Sequence, residues 1–388
     1  MRLFSVISKS LKEQIRSYWV LLLTLAMGPF FIFVYYLITE SSEQQYRVLV
    51  LNNDMGIQAD GSQLNHGSQF IAFFDDAVTG TTEVPFTVEA EAVESTGVEK
   101  VKNKKADALI IIDASFSQAI ENRQSADSNI VPRVEFVGDL TGTGYLISAV
   151  WANEILNEYV LLETDQKRVV EVAETALGRS GVTDEFSMMV PGLLIVSLIM
   201  LMFTASIAFV SEVEDKTIMR LKLSKLTTLE YLGGVGTVQL IVGVVSVLLS
   251  LLTAVSLGFK FSGSLAIVIL IASLTSLSII AFSLIIAAVT KSAGEVLVVG
   301  NFPMFLFMFF TGAAFPLKSG TLFTVADYPI NIQGLMTPTH AVSAMNKTLI
   351  MEMDIKAVLP EIISIILLTV IYFAAGAIIF RRRHLRLA

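Results

Sequence analysis

Hydrophobic and polar positions are arranged along this chain in blocks rather than residue by residue. Six predominantly apolar runs stand out, at 18–38, 188–210, 231–258, 264–290, 295–316 and 361–380. About twenty apolar residues, rising ~1.5 Å each, cross a hydrocarbon core ~30 Å thick. Each run therefore predicts a transmembrane helix. Gly28-Pro29 inside the first predicts a kink.

Ahead of the first run, residues 1–17 keep a helical period of another kind. Leu3, Phe4, Ile7, Leu11 and Ile15 share one side of a helical wheel, and Lys9, Lys12 and Arg16 group opposite. The pattern predicts an amphipathic elbow helix in the membrane interface, its bases near anionic headgroups. A signal peptide is the rival reading. The run at 18–38 is too long for a signal core and no small-residue cleavage pattern follows, which favours a retained span.

Residues 39–187 break the block pattern. YRVLVL at 46–51 alternates and meets the turn Asn52-Asn53-Asp54, while 84–88, 108–112 and 131–137 are further strand candidates. Stretches 93–105 and 115–123 read as helices, and apolar residues recur at helical spacing from 145 to 177. Alternating strands and helices predict one compact α/β domain inserted between the first two spans. Asp54, Asp113 and Asp139 each follow a strand, where a catalytic carboxylate could sit, but capping a turn is the commoner use.

Composition agrees with the blocks: 54% of residues are hydrophobic and 16% charged, beyond an ordinary soluble domain. With no cysteine, disulfides and thiolate metal sites are excluded, and His66, His340 and His384 are too scattered to suggest a histidine site. Residues 40–187 hold 25 acidic and 10 basic side chains, against 10 and 17 in the remainder. The inserted segment is therefore acidic and the membrane-embedded part basic, with nothing that favours nucleic acid. Arg2, Lys9, Lys12, Arg16, Lys216, Arg220, Lys222, Lys225, Lys291 and the C-terminal arginines fall on one side of the six spans. Lysine and arginine mark the inner side. Both termini, with the basic tail 381–388, are then expected inside and the α/β domain outside.

No chemistry of the chain's own is legible. There is no GxxxxGK[ST] phosphate loop, HExxH or GxSxG motif. Ionisable residues occur only at span ends, as Glu230, Lys291 and Glu295 do. That argues against an ion-coupled carrier and leaves an apolar or amphipathic cargo. Any ATP, with its magnesium, would have to bind a partner.

The remaining signal is the charged stretch 211–230 between the second and third spans. Glu212, Glu214 and Asp215 precede Lys216, Arg220, Lys222 and Lys225, an order that suits a helix lying on the membrane face; an ordinary basic loop reads the same way by composition. Glu212, Glu214, Thr217, Leu221, Leu223, Ser224, Glu230, Tyr231, Leu232 and Gly233 together resemble the loop after the second membrane helix in ABC-2 type membrane subunits of ATP-binding-cassette exporters. Lys216 and Lys225 depart from that pattern, standing where the family usually has glycine and proline. A second match, TGAAFPL at 311–317 with LMTPTHAV at 335–342, resembles the family's short re-entrant helices, expected here within 317–360, with Thr337 capping and Pro338 at the first helical position. The domain at 39–187 resembles the large external domain of one ABC-2 branch.

The resemblance implies a polytopic α-helical membrane protein of six spans, similar to type V exporters, in the bacterial cytoplasmic membrane. It implies an ATPase subunit docking on Glu212, Glu214, Thr217, Arg220 and Leu221, and dimerisation with a second copy or a homologue. It implies export of a hydrophobic or amphipathic substrate (drug, antibiotic or lipid), with Asn301, Phe302, Phe305, Phe315, Pro316 and Pro338 at its path or outer gate. A sodium-efflux permease keeps this machinery and changes the cargo. A membrane-anchored receptor or phage-attachment protein would move nothing, and would have no reason to carry a docking segment.

Overall fold

The structure is a computed structural model, and it describes residues 2–40, 46–59, 62–80, 86–124, 133–165, 178, 184–215, 227–315, 317, 322–325 and 328–385. The chain divides into two compact units, one formed by Met1–Ser41 with Thr175–Ala388 and the other by Ser42–Glu174.

The first unit is a helical bundle. Its helices are α1 (Arg2–Arg16), α2 (Tyr18–Glu40), α7 (Glu185–Glu214), α8 (Thr228–Ser256), α9 (Leu265–Val289), α10 (Ala293–Phe310), α11 (Thr337–Leu349) and α12 (Leu359–Phe380). Among the described residues six helices are long and apolar enough to cross a membrane, so the chain is a polytopic helical membrane protein.

The spans differ in how they are clad. Most of α7 is buried, with Leu194, Ile195, Leu198 and Met202 fully enclosed, whereas α10 and α12 leave most of their apolar side chains exposed or only partly buried. A hydrophobic side chain unburied by protein faces lipid or another subunit, so α7 is the axis of the bundle. Close approach to that axis depends on Gly28. A Cβ there would lie 2.1 Å from Ser250 Oγ and 2.5 Å from Ser197 Cβ, so α2 could not reach α7 and α8 with any larger residue.

Polar groups inside the bundle are mostly hydroxyls bonded to carbonyls. Ser197 donates to Leu194 O and Ser250 to Ser246 O within their own helices. Ser206 donates to Ser283 O while Ser283 contacts Met202 O, tying α7 to α9. In hydrocarbon each such bond removes an otherwise unmet donor. Thr337, expected to cap α11, lies inside the helix instead. Met336 occupies the cap, and the Thr337 hydroxyl is spent 2.7 Å from Ser278 Oγ of α9.

The second unit carries β1 (Tyr46–Asn52), β2 (Ile57–Ala59), β3 (Ser62–Leu64), α3 (His66–Gly80), β4 (Phe86–Glu91), α4 (Glu94–Lys102), β5 (Ala108–Ile112), α5 (Phe116–Gln124), β6 (Val134–Gly138) and α6 (Thr143–Glu163). The main sheet has the order β4-β1-β5-β6, with β1 parallel to β4 and β5 and β6 antiparallel at one edge. Central strands β1 and β5 are the most buried, as their unbroken apolar runs require. Val48, Val50, Ile110 and Ile112 pack with Phe70, Phe74 and Tyr159 on one face. Helix α3 and the hairpin β2-β3 were not among the expected elements.

Candidate functional site

Span α7 continues to Glu214, so Glu212 and Glu214 end a helix rather than open one. Carboxylates in a last turn face the negative end of the helix dipole and need compensation from elsewhere. Both receive it. Glu212 is buried and paired with Lys9 Nζ of α1, which also approaches Glu13 at 3.5 Å. Burial works against the charged lysine, yet its hydrogen bond to Glu212 and the attraction of Glu212 and Glu13 hold the ammonium above its usual pKa. Glu214 accepts the backbone N–H of Ala293 at 2.8 Å, at the N-terminus of α10, where the dipole favours an anion.

The return into α8 is fixed by a capping box. Thr227 Oγ1 accepts from the Glu230 N–H, and the Glu230 carboxylate accepts from the Thr227 N–H at 2.8 Å. Tyr231 is buried and donates to Phe209 O of α7 at 3.2 Å. Helix α1 adds Gln14, whose Oε1 accepts from Gln239 Nε2 of α8 at 3.0 Å, and buried Ser10. So Lys9, expected at the headgroups with Lys12 and Arg16, turns inward. Leu3, Phe4, Leu11 and Ile15 remain exposed.

The two ends of the segment between the second and third spans are thus tied to α1, α7, α8 and α10. Thr217, Arg220 and Leu221, the rest of the expected docking set, lie outside the described residues, as do Lys216, Lys222, Lys225 and Pro316.

The expected outer group is only partly assembled. Phe305 and Phe315 flank Phe309, with ring centroids 4.5 Å and 6.0 Å from it. Phe302 is exposed, and Asn301 donates to its own helix at Leu297 O, 2.6 Å away. Pro338 is buried in the first turn of α11.

Sequence reading missed one charged site altogether. Glu361, in the first turn of α12, is buried and accepts from Lys347 Nζ at 2.7 Å and Ser343 Oγ at 3.0 Å; Lys347 also donates to Ala357 O. Lys347 and Glu361 sit in separate helices joined by a turn, a pairing that periodicity does not signal.

In the α/β unit, Asp54 is the most constrained carboxylate. It accepts from the Ser117 hydroxyl and N–H, the Gly67 N–H and the Gly56 N–H. Burial pushes its pKa up, but these donors outweigh it and hold the carboxyl below its ordinary value. Asp113 and Asp139 accept from Ser115 and Thr141 in local turns. All three act structurally in these contacts.

A family model described as ABC-2 family transporter protein matches residues 15–378. No curated protein matches the chain.

Proposed function

The chain belongs to the ABC-2 transporter family, and on that premise we propose that it is the membrane-spanning half of an exporter driven by a separate ATPase subunit. Family membership supports a transmembrane permease and implies an ATP-binding partner. ATP and magnesium would reside on that partner, which docks on residues 211–230. The observation that carries the reading is the double tether of α7. Glu212 is locked to Lys9 of α1 and Glu214 to the N-terminus of α10. A push on the segment between α7 and α8 would move the elbow helix and the second, third and fifth spans together, as rigid-body re-packing requires.

The lysine and arginine bias supports placing that segment and both termini inside the cell, and the α/β unit outside as a cap or extension of the exit. Re-entrant α11 would lie in the outer leaflet. Spans free of interior charge fit a hydrophobic or amphipathic cargo, in the cytoplasmic membrane of a bacterium. Six spans with one docking segment make half a machine, so the working unit is a dimer with itself or a homologue.

Co-purification with an ATPase and transport in proteoliposomes test this. Glu214→Lys would set a cation against the α10 N-terminus and leave Ala293 without its acceptor. The variant is expected to insert normally and to hydrolyse ATP without moving cargo. Normal coupled transport by Glu214→Lys would refute the proposal.

A further inference from the structure

One cleft in the bundle is unexplained by the docking segment or the aromatic cluster. It measures about 420 Å³ and lies between α7, α8, α9 and α12, within the ~300–1,000 Å³ range of ligand pockets. Phe209, Ile280 and Leu284 form its buried floor, while Leu229, Leu277 and Phe373 are exposed at its mouth. Leu229 lies in the first turn of α8 and Phe209 five residues before the end of α7, so the cleft is at the bundle end that carries Glu212 and Glu214.

Three observations say what belongs there. First, the walls offer only hydrocarbon. The two hydroxyls present are spent on their own helices, Thr237 on Gly233 O at 2.7 Å and Thr369 on Ile365 O at 2.6 Å. A polar ligand would be left with unmet groups.

Second, the cleft is lined by two glycines at positions where helix packing leaves room for a side chain. Added Cβ atoms at Gly233 and Gly236 would meet only ordinary contacts, at 3.7 Å from Leu3 and Ile280. At neighbouring Gly234 the same atom would lie 2.5 Å from Val6, so that glycine serves helix packing. A helical glycine costs up to about 1 kcal/mol relative to alanine, and at Gly233 and Gly236 its structural result is the open cleft.

Third, the charge at this end suits an anion. Among the described residues Glu212 and Glu13 are engaged by Lys9, Glu214 and Glu295 by backbone N–H groups, and Glu230 by its capping box, while Asp215 is an exposed acid outnumbered by the bases here. Arg381, Arg382 and Arg383 are exposed directly after α12, and Lys12 and Arg16 are exposed on α1. Arg381 follows Phe373 by eight residues, ~12 Å along a helix. That spacing places basic groups where a headgroup would lie once its acyl chain entered the cleft.

We infer that this cleft holds one acyl chain of an anionic phospholipid from the leaflet at the basic end of the bundle, as a resident lipid. The inference stands apart from the transported cargo and from ATPase docking.

Native mass spectrometry of the full chain, purified in mild detergent with phosphatidylglycerol and phosphatidylcholine supplied equally, tests it. The unsubstituted chain should retain phosphatidylglycerol in preference. Gly236→Leu fills the cleft and should reduce retention at least about tenfold, because several buried methylenes lose their site. Its thermal midpoint should not fall, since leucine favours a helix over glycine. Equal retention by both proteins overturns the inference, and so does retention without headgroup preference. If Gly236→Leu instead disrupts a dimer and leaves lipid retention intact, the occupant is a second copy and the inference fails. A probe that leaves the glycines in place is Leu277→Trp. Its added fluorescence should be quenched by brominated phosphatidylglycerol, and absence of quenching also overturns the inference.

Discussion

Among the described residues the two ends of the bundle each bury one carboxylate, and they hold it in different ways. Glu361 opens α12, where the helix dipole favours an anion, and its partners Lys347 and Ser343 lie within eighteen residues of chain. Glu212 closes α7, where the dipole opposes it, and its partner Lys9 comes from the separate helix α1, 203 residues away. Lys347 is mostly enclosed, its side chain 29% exposed, while that of Lys9 is 45% exposed. One pair is a local clamp. The other holds only while α1 stays docked, which suits the end where we place the motor.

Removing the lysine from each pair is the sharpest way to break this comparison. Lys347→Met strands a buried carboxylate and should destabilise the protein by about 3 kcal/mol or more, read as a lower unfolding midpoint in detergent. Lys9→Met leaves a carboxylate that water can reach once α1 loosens, so about 1 kcal/mol is expected. Its larger effect should be on coupling, as ATP hydrolysed without cargo moved. Equal stability losses in the two variants would mean that the ends are held alike.

Asp54 offers an intermediate case, a buried carboxylate satisfied by neutral donors with no cation. Asp54→Asn should cost about 2 kcal/mol, since an amide cannot accept from all of those donors. The pH dependence has a definite sign. The Asp54 pKa is depressed on folding, so its stabilisation is complete above the ordinary carboxylate value of ~4 and is lost as pH falls through the lower folded value. Protection of β1 amides from hydrogen exchange, taken relative to the intrinsic rate at each pH, should fall below that pH in the full chain, and Asp54→Asn should flatten the dependence. An unchanged profile in the variant would assign the acid sensitivity elsewhere.

Much of the architecture was legible because hydrocarbon imposes a length. Apolar runs long enough to span can hardly be anything else, and six such helices are present among the described residues. The sheet was read less sharply. Strand candidates at 84–88 and 131–137 correspond to β4 at Phe86–Glu91 and β6 at Val134–Gly138. Their ends are set by pairing with β1 and β5, as in Tyr46↔Phe86 and Ala108↔Gly138, and not by local propensity. Helix α3 carried a usable signal in Phe70 and Phe74, four residues apart. The ion pairs were not legible. Which way Lys9 turns depends on the rotation of α1 against α8, set by packing of Val6 over Gly234, and no single-chain period encodes that. Glu212 and Glu214 were legible as a charged pair but misread as a helix start, because an acidic-to-basic order fits a new helix as well as the end of an old one.

The central claim is that the segment after the second span faces a motor inside the cell. The chain contains no cysteine, so Lys222→Cys provides a single label in an otherwise unreactive background. In intact cells that cysteine should react with a membrane-permeant maleimide and be untouched by an impermeant one. Labelling by the impermeant reagent would put the segment outside the cell, beyond the reach of any ATPase, and would contradict the account.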